Sequence, residues 1–256
     1  MTTPSKALIV AIGLLAADAT IEMGFVTSMV SWLHSGAPSG SYTVNTPSSI
    51  SSAPPTYKIS GLALNMLVDQ GHTSNGAAGT ALVLIGIVGS LALLARTRFP
   101  SSKLGRLLYY IWMGIQIPAL FLTIGALGYV FAVTNKHKGQ TINQAAAISM
   151  TGPYDLDQWT PQNWFHAVRQ LDLNSSSLRS DINFHYRIML GWQYNLIPLF
   201  LLQLVETAFA FRDFFAWRKR GTTVNGHVEA SYKEPVSEPQ FYPQQQPQPV
   251  YQPQQA

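Results

Sequence analysis

Asp18 and Glu22 stand one helical turn apart in LLAADATIEMGF (14–25), and Glu206 follows Gln203 by three residues in an equally apolar stretch. Spacings of four and three put each pair on one face of a helix. Acids in apolar surroundings can do three things. They can share a proton and hydrogen-bond to one another, hold a proton or cation in transit, or act as a neutral acid on a buried substrate. No lysine, arginine or histidine lies in the apolar runs that carry them. At the centre of a bilayer each acid costs about 2.5–3.5 kcal/mol, so three of them facing lipid would be untenable. The helices bearing them must therefore face protein or water.

The elements that must position these groups are four apolar helices. Only 11% of the 256 residues are charged, against about 25% in an ordinary soluble domain. Four stretches have the roughly 20 apolar residues needed to span a bilayer: one within 1–33, then 76–95, 107–133 and 188–211. Interface-seeking aromatics flank them, namely Trp32, then Tyr109, Tyr110, Trp112 and Tyr129, then Trp192, Tyr194 and Trp217. The short connection 96–106 carries Arg96, Arg98, Lys103 and Arg106, and the fourth span ends in Arg218, Lys219 and Arg220. Connection 34–75 has Lys58 alone. The bias of positive charge towards the cytoplasm puts both termini inside and leaves 34–75 and 134–187 as two long outer loops. Residues 1–19 also read as a signal peptide, with Ala17-Asp18-Ala19 in cleavage-site form. The apolar run continues through MGFVTSMVSWL, which favours a retained span. The expected fold class is an all-α membrane protein, a four-transmembrane-helix bundle.

Depth follows from the helical rise. Asp18 lies about 18 Å from Lys6, close to the midplane, and Glu206 lies almost midway between Trp192 and Trp217. Asp18, Glu22, Glu206 and Gln203 thus form a candidate proton or cation site, with Asp18 and Glu206 expected at one level and Glu22 about one turn further out. Roughly opposite the acids on helix 1 runs a stripe of small residues, Ala16, Thr20, Gly24 and Ser28, suited to close helix contact. Gly86 and Ser90 add a small pair on helix 2, while Pro118 and Pro198 free backbone carbonyls in helices 3 and 4.

Outside the membrane, GAPSGSYTVNTPSSISSAPP reads as irregular, and YKISGLALNMLVDQG as a short strand or an interfacial helix. In the second loop Thr160-Pro161 is an N-cap and first-turn proline for a short amphipathic helix over 161–171. Trp164, Val168 and Leu171 make its apolar face, expected against the membrane surface or over the bundle. Asn174-Ser175-Ser176 is a glycosylation sequon on the outer side. His34, His72, His137, His166 and His185 all fall outside without ligand spacing, so no metal site is read from them. With no cysteine, the chain has no disulfide, thiolate ligand or redox pair. The tail 212–256, rich in proline and glutamine towards its end, is expected to be disordered, with room for a cytoplasmic adaptor.

The segments WTPQNWFHAV and RIMLGWQYNLIPLF and the four-span layout resemble those of small fungal tetraspan proteins, with the claudin-like, SUR7-type group the nearest comparison. The cysteine pair of that group's first outer loop is absent here. The resemblance implies a plasma-membrane or secretory-pathway protein that organises membrane domains. Acting by lateral association, it would have membrane lipids and a homo- or hetero-oligomer through helix 1 as partners. Two alternatives stand beside it: a proton- or cation-handling carrier or channel, and an intramembrane general-acid enzyme on a lipid or isoprenoid. No cofactor motif is present, no catalytic residue can be named, and a net charge of +4 is too small and dispersed to suggest nucleic acid.

Overall fold

A computed structural model describes residues 3–37, 40–50 and 52–232, with side chains described to Arg220. Four helices are long and apolar enough to cross a membrane. Helix α1 (Lys6–Ser35) starts where Ser5 Oγ accepts the N–H of Leu8 and ends where the Gly36 N–H bonds Trp32 O. It runs unbroken past Ala19. The second rod spans Asp69–Arg98 as α2 (Asp69–Gly79), a π-helical stretch Thr80–Val88 and α3 (Gly89–Arg98). Helix α4 (Lys103–Lys136) is capped by Ser102 and passes through Pro118.

The last helix, α7 (Ser176–Tyr232), passes through Pro198. It continues beyond 211, so residues 212–220, grouped with the expected tail, extend the fourth helix instead. No proline occurs between Pro198 and Pro235, and extending an existing helix is far easier than starting one. The stretch of that tail after Tyr232, with its proline and glutamine, lies outside the described residues. The chain divides into two compact units, Met1–Phe215 and Ala216–Ala256.

One carboxylate defines an end of the bundle. Asp213 of α7 accepts from Arg96 Nη1 at 2.7 Å, from the Tyr109 hydroxyl at 3.1 Å and from the Ser5 N–H at 3.3 Å. The start of α1, the end of α3, the start of α4 and this turn of α7 therefore meet there, and the spans alternate in direction.

The two long connections fold together into a head at the opposite end. Strands β1 (Ser41–Asn45) and β2 (Thr56–Ser60) pair antiparallel, in register from Ser41 with Ser60 to Asn45 with Thr56. The stretch expected to be irregular thus contains a strand. SYTVN alternates, and Tyr42 and Val44 turn inward while their neighbours do not. The hairpin is also a departure from a purely helical protein, although the bundle itself is all α. Bridges from Val44 to Leu173 and from Met66 to Trp159 tie the first connection to the second. Helix α5 (Gln144–Ser149), capped by Asn143, and α6 (Pro161–Val168), capped by Thr160, complete the head.

Tryptophans fill its core. Trp159 and Trp164 meet edge to face with centroids 5.2 Å apart, beside Tyr154 and Phe165, and all four are buried. The Trp164 indole N–H donates to Gly61 O at 2.9 Å and that of Trp159 to Leu156 O at 2.9 Å. Trp164, Val168 and Leu171, expected as one apolar face, are all buried in this cluster, which Met29 of α1 and Met189 of α7 also join. Helix α6 is thus head core rather than a surface helix. Burial pushes the Tyr57 phenol up to about 12, so it stays neutral as it donates to Gln144 Oε1 at 3.1 Å.

Candidate functional site

Helix α2 begins seven residues before the expected span, which brings Gln70 into play. Gln70 Nε2 donates to Gln162 Oε1 of α6 at 2.9 Å, and the Thr134 hydroxyl of α4 donates to Gln70 Oε1 at 3.3 Å. Asn163 Nδ2 in turn reaches Thr134 O at 2.8 Å. This buried polar bracket fixes the head to the ends of two spans. Its sequence signal is slight: Gln70 and Ser74 share a helix face with Ala77, Ala78 and Ala81, all buried.

Deeper in the bundle a second polar set joins α4 to α7. Gln116 Nε2 donates to Glu206 Oε1 at 3.2 Å, and the Thr207 hydroxyl donates to Gln116 Oε1 at 3.2 Å. One turn or two further along, the Thr123 hydroxyl donates to Gln203 Oε1. All five side chains are buried. An amide that both donates and accepts lets either protonation state of Glu206 keep a bond. Glu206 and Gln203 were legible as site residues, whereas Gln116, Thr123 and Thr207 were not, because a lone amide or hydroxyl in an apolar run is common.

The third set lies on α1. Glu22 is fully buried, and its carboxyl faces the Asn195 amide of α7 as a side-chain hydrogen-bond partner. Asp18 Oδ2, one turn away, is buried and unbonded. The expected single cluster is therefore split. Glu206 is eleven residues beyond Asn195 along α7, about 16 Å of helix, and it bonds to α4 rather than to Glu22.

The small-residue stripe also divides. Ala16 packs against α2's continuation, where a Cβ on Gly86 would lie 3.3 Å from Ala16 Cβ. Ser90 Oγ donates back to Gly86 O at 2.7 Å. Ser28 is half-buried, but Thr20 and Gly24 are exposed. They belong to a longer uncovered row, Gly13, Ala17, Thr20, Gly24, Thr27 and Ser31, which repeats at alternating steps of four and three. A Cβ placed on Gly13 or Gly24 would meet nothing within 4 Å. Elsewhere in the spans exposed bulk, such as Ile21 on α1 and Phe121 and Ile124 on α4, is mixed with exposed glycines, Gly114, Gly125 and Gly128 on α4, that do not form so long a row.

Within the π-helical stretch, Ile85 O receives the Trp112 indole N–H at 3.3 Å, so α4 is stitched to the second rod where its ladder is widened. Asn174 is exposed on the head, its N–H bonded to Thr43 O. Among the described residues no group of three or more histidines or carboxylates could hold a metal ion.

The architecture is that of a multi-span membrane protein bearing a folded head. No family model matches the chain, and no curated protein or solved structure matches it.

Proposed function

We propose that this protein organises membrane domains by lateral self-association through α1, with its head on the outer face and both termini in the cytoplasm. The uncovered small-residue row carries the reading. Lipid tails are as apolar as leucine, so association within a bilayer relies on close backbone packing, which small residues permit. Steps of four and three keep the row on one seam between helices crossing at about +20°. A second copy of α1, related by a two-fold axis, fits such a row with the same residues. The clustered Arg98, Lys103 and Arg106 beside the ion-paired end favour the cytoplasm for that end.

The absence of cysteine from the sequence makes the test direct. Single cysteines at Thr20, Gly24 and Thr27 are expected to form disulfide-linked dimers in membranes under mild oxidation. Cysteines at Ile21 on α1 or Phe121 on α4 should not. Gly24→Leu should abolish crosslinking through Thr27→Cys. Equal crosslinking at all positions would sink the reading.

Glu22 favours a second reading, a proton- or cation-handling role, because a fully buried carboxyl met only by the Asn195 amide, with the unbonded Asp18 Oδ2 one turn away, is costly unless something binds it. The double variant Asp18→Asn/Glu22→Gln keeps size and hydrogen bonding but removes both titratable protons. If that role is real, proton-linked uptake into proteoliposomes is lost while abundance and the α1 crosslinking pattern are retained. Unchanged flux, or no flux in the parent chain, rejects it.

A further inference from the structure

At the head end of the bundle, α1, α2, the head and α7 enclose a cavity of about 330 Å³. Val26, Met29, Met66 and Trp192 are among its walls, with His34 and His72 exposed beside it. We propose that this cavity binds the chain of a single-chain fatty acid, with the carboxylate held at the His34 and His72 side.

Size favours one chain. The volume is at the low end of the roughly 300–1,000 Å³ typical of small-molecule sites, too small for both chains of a membrane phospholipid. The walls are aliphatic and thioether side chains, and methionines adapt to flexible apolar ligands. The wall residues from α1 and α7 lie towards the head end of two spans, and Val30 at the rim is exposed, so an acyl chain can enter from the adjoining lipid.

Polarity selects the head group. Among the described residues that line the cavity, the side chains with polar atoms are His34, His72 and Trp192. The Trp192 indole N–H is buried and has no acceptor, and a buried donor left unpaired costs about 1–3 kcal/mol. His34 Nδ1 lies 2.7 Å from Val30 O and donates to it, which leaves Nε2 for a ligand. An imidazole N–H donates to a carboxylate, and hydrogen bonds to a charged acceptor are the stronger kind. The two imidazoles at the exposed side of the cavity therefore suit an acceptor-rich, anionic head better than the single hydroxyl of an alcohol or a sterol.

The test uses the full chain in nanodiscs and a diazirine-bearing palmitic acid, with sites of labelling mapped by mass spectrometry. Labelling is expected on segments 26–34, 62–72 and around Trp192, and unlabelled palmitic acid should compete better than its methyl ester by about tenfold, the worth of one charge-assisted bond. Val30→Trp fills the cavity from its exposed rim without touching the head core, and should remove that labelling. His34→Gln/His72→Gln should abolish the preference for acid over ester while keeping the labelled segments. Labelling spread equally over the lipid-facing residues of α4, or undiminished by Val30→Trp, overturns the site. Equal competition by acid and ester overturns the assignment of the head group.

Discussion

Trp164→Ala is expected to unfold the head while the four spans stay helical. Removing a fully buried tryptophan from a packed core costs about 3–5 kcal/mol, and Gly61 O loses its indole donor as well. The loss is concentrated, because Trp164 touches both Trp159 and Tyr154, and through Gly61 it holds the first connection against the second. The chain has no cysteine for a disulfide and, among the described residues, no group that could hold a metal ion, so the head's stability rests on this cluster. Gly61→Ala tests the same joint without removing an aromatic, since a Cβ there would lie 1.7 Å from Ala37 O. Backbone on both sides leaves that contact no cheap relief. Limited proteolysis of the detergent-solubilised protein should show rapid cleavage within 36–68 and 137–175 in both variants, with helical circular dichroism nearly unchanged. A parent-like digestion pattern in both would show that the head is held by something other than the tryptophan cluster.

What could be read beforehand follows from how far each interaction reaches along the chain. The spans were legible because hydrophobic length is a local property, and the Thr160-Pro161 start of α6 was legible because a cap is made by neighbours. A strand was one of two readings of the segment that holds β2, whereas β1 was missed because serine and proline around it outweighed a five-residue alternation. Its edge contact to Leu173 lies far off in sequence. The polar pairs followed the same rule. Glu206 and Glu22 stood out as costly residues, but nothing local indicates that Gln116 meets the first and Asn195 the second. The small-residue stripe was half right for a related reason. Spacing gives the face of a helix, whereas the neighbour that covers part of it, here the segment around Gly86, is set by the turn of the whole bundle.

Asp213 illustrates that rule with a second large expected effect, at the opposite end from the head. Four basic residues in 96–106 were read together as a topology signal, yet one of them is a structural group. The Arg96 side chain is 3% exposed and its Asp213 partner 9%, while Arg98, Lys103 and Arg106 are exposed. Asp213→Ala removes the carboxylate that Arg96, Tyr109 and Ser5 share, leaving a nearly buried guanidinium with its place 4.4 Å over the Tyr109 ring as part compensation. Breaking a buried pair from one side costs about 3–5 kcal/mol, whereas replacing both members with apolar residues of similar size is often neutral. Asp213→Ala should therefore lower the thermal midpoint in detergent sharply, and Arg96→Met/Asp213→Leu should recover most of the loss. Orientation in the membrane should stay the same in both, as the three exposed cations remain; protease accessibility of the head in sealed vesicles reads this out. A double variant less stable than Asp213→Ala alone would mean that the charges serve a purpose beyond each other, and inverted orientation would mean that Arg96 is a topology determinant after all.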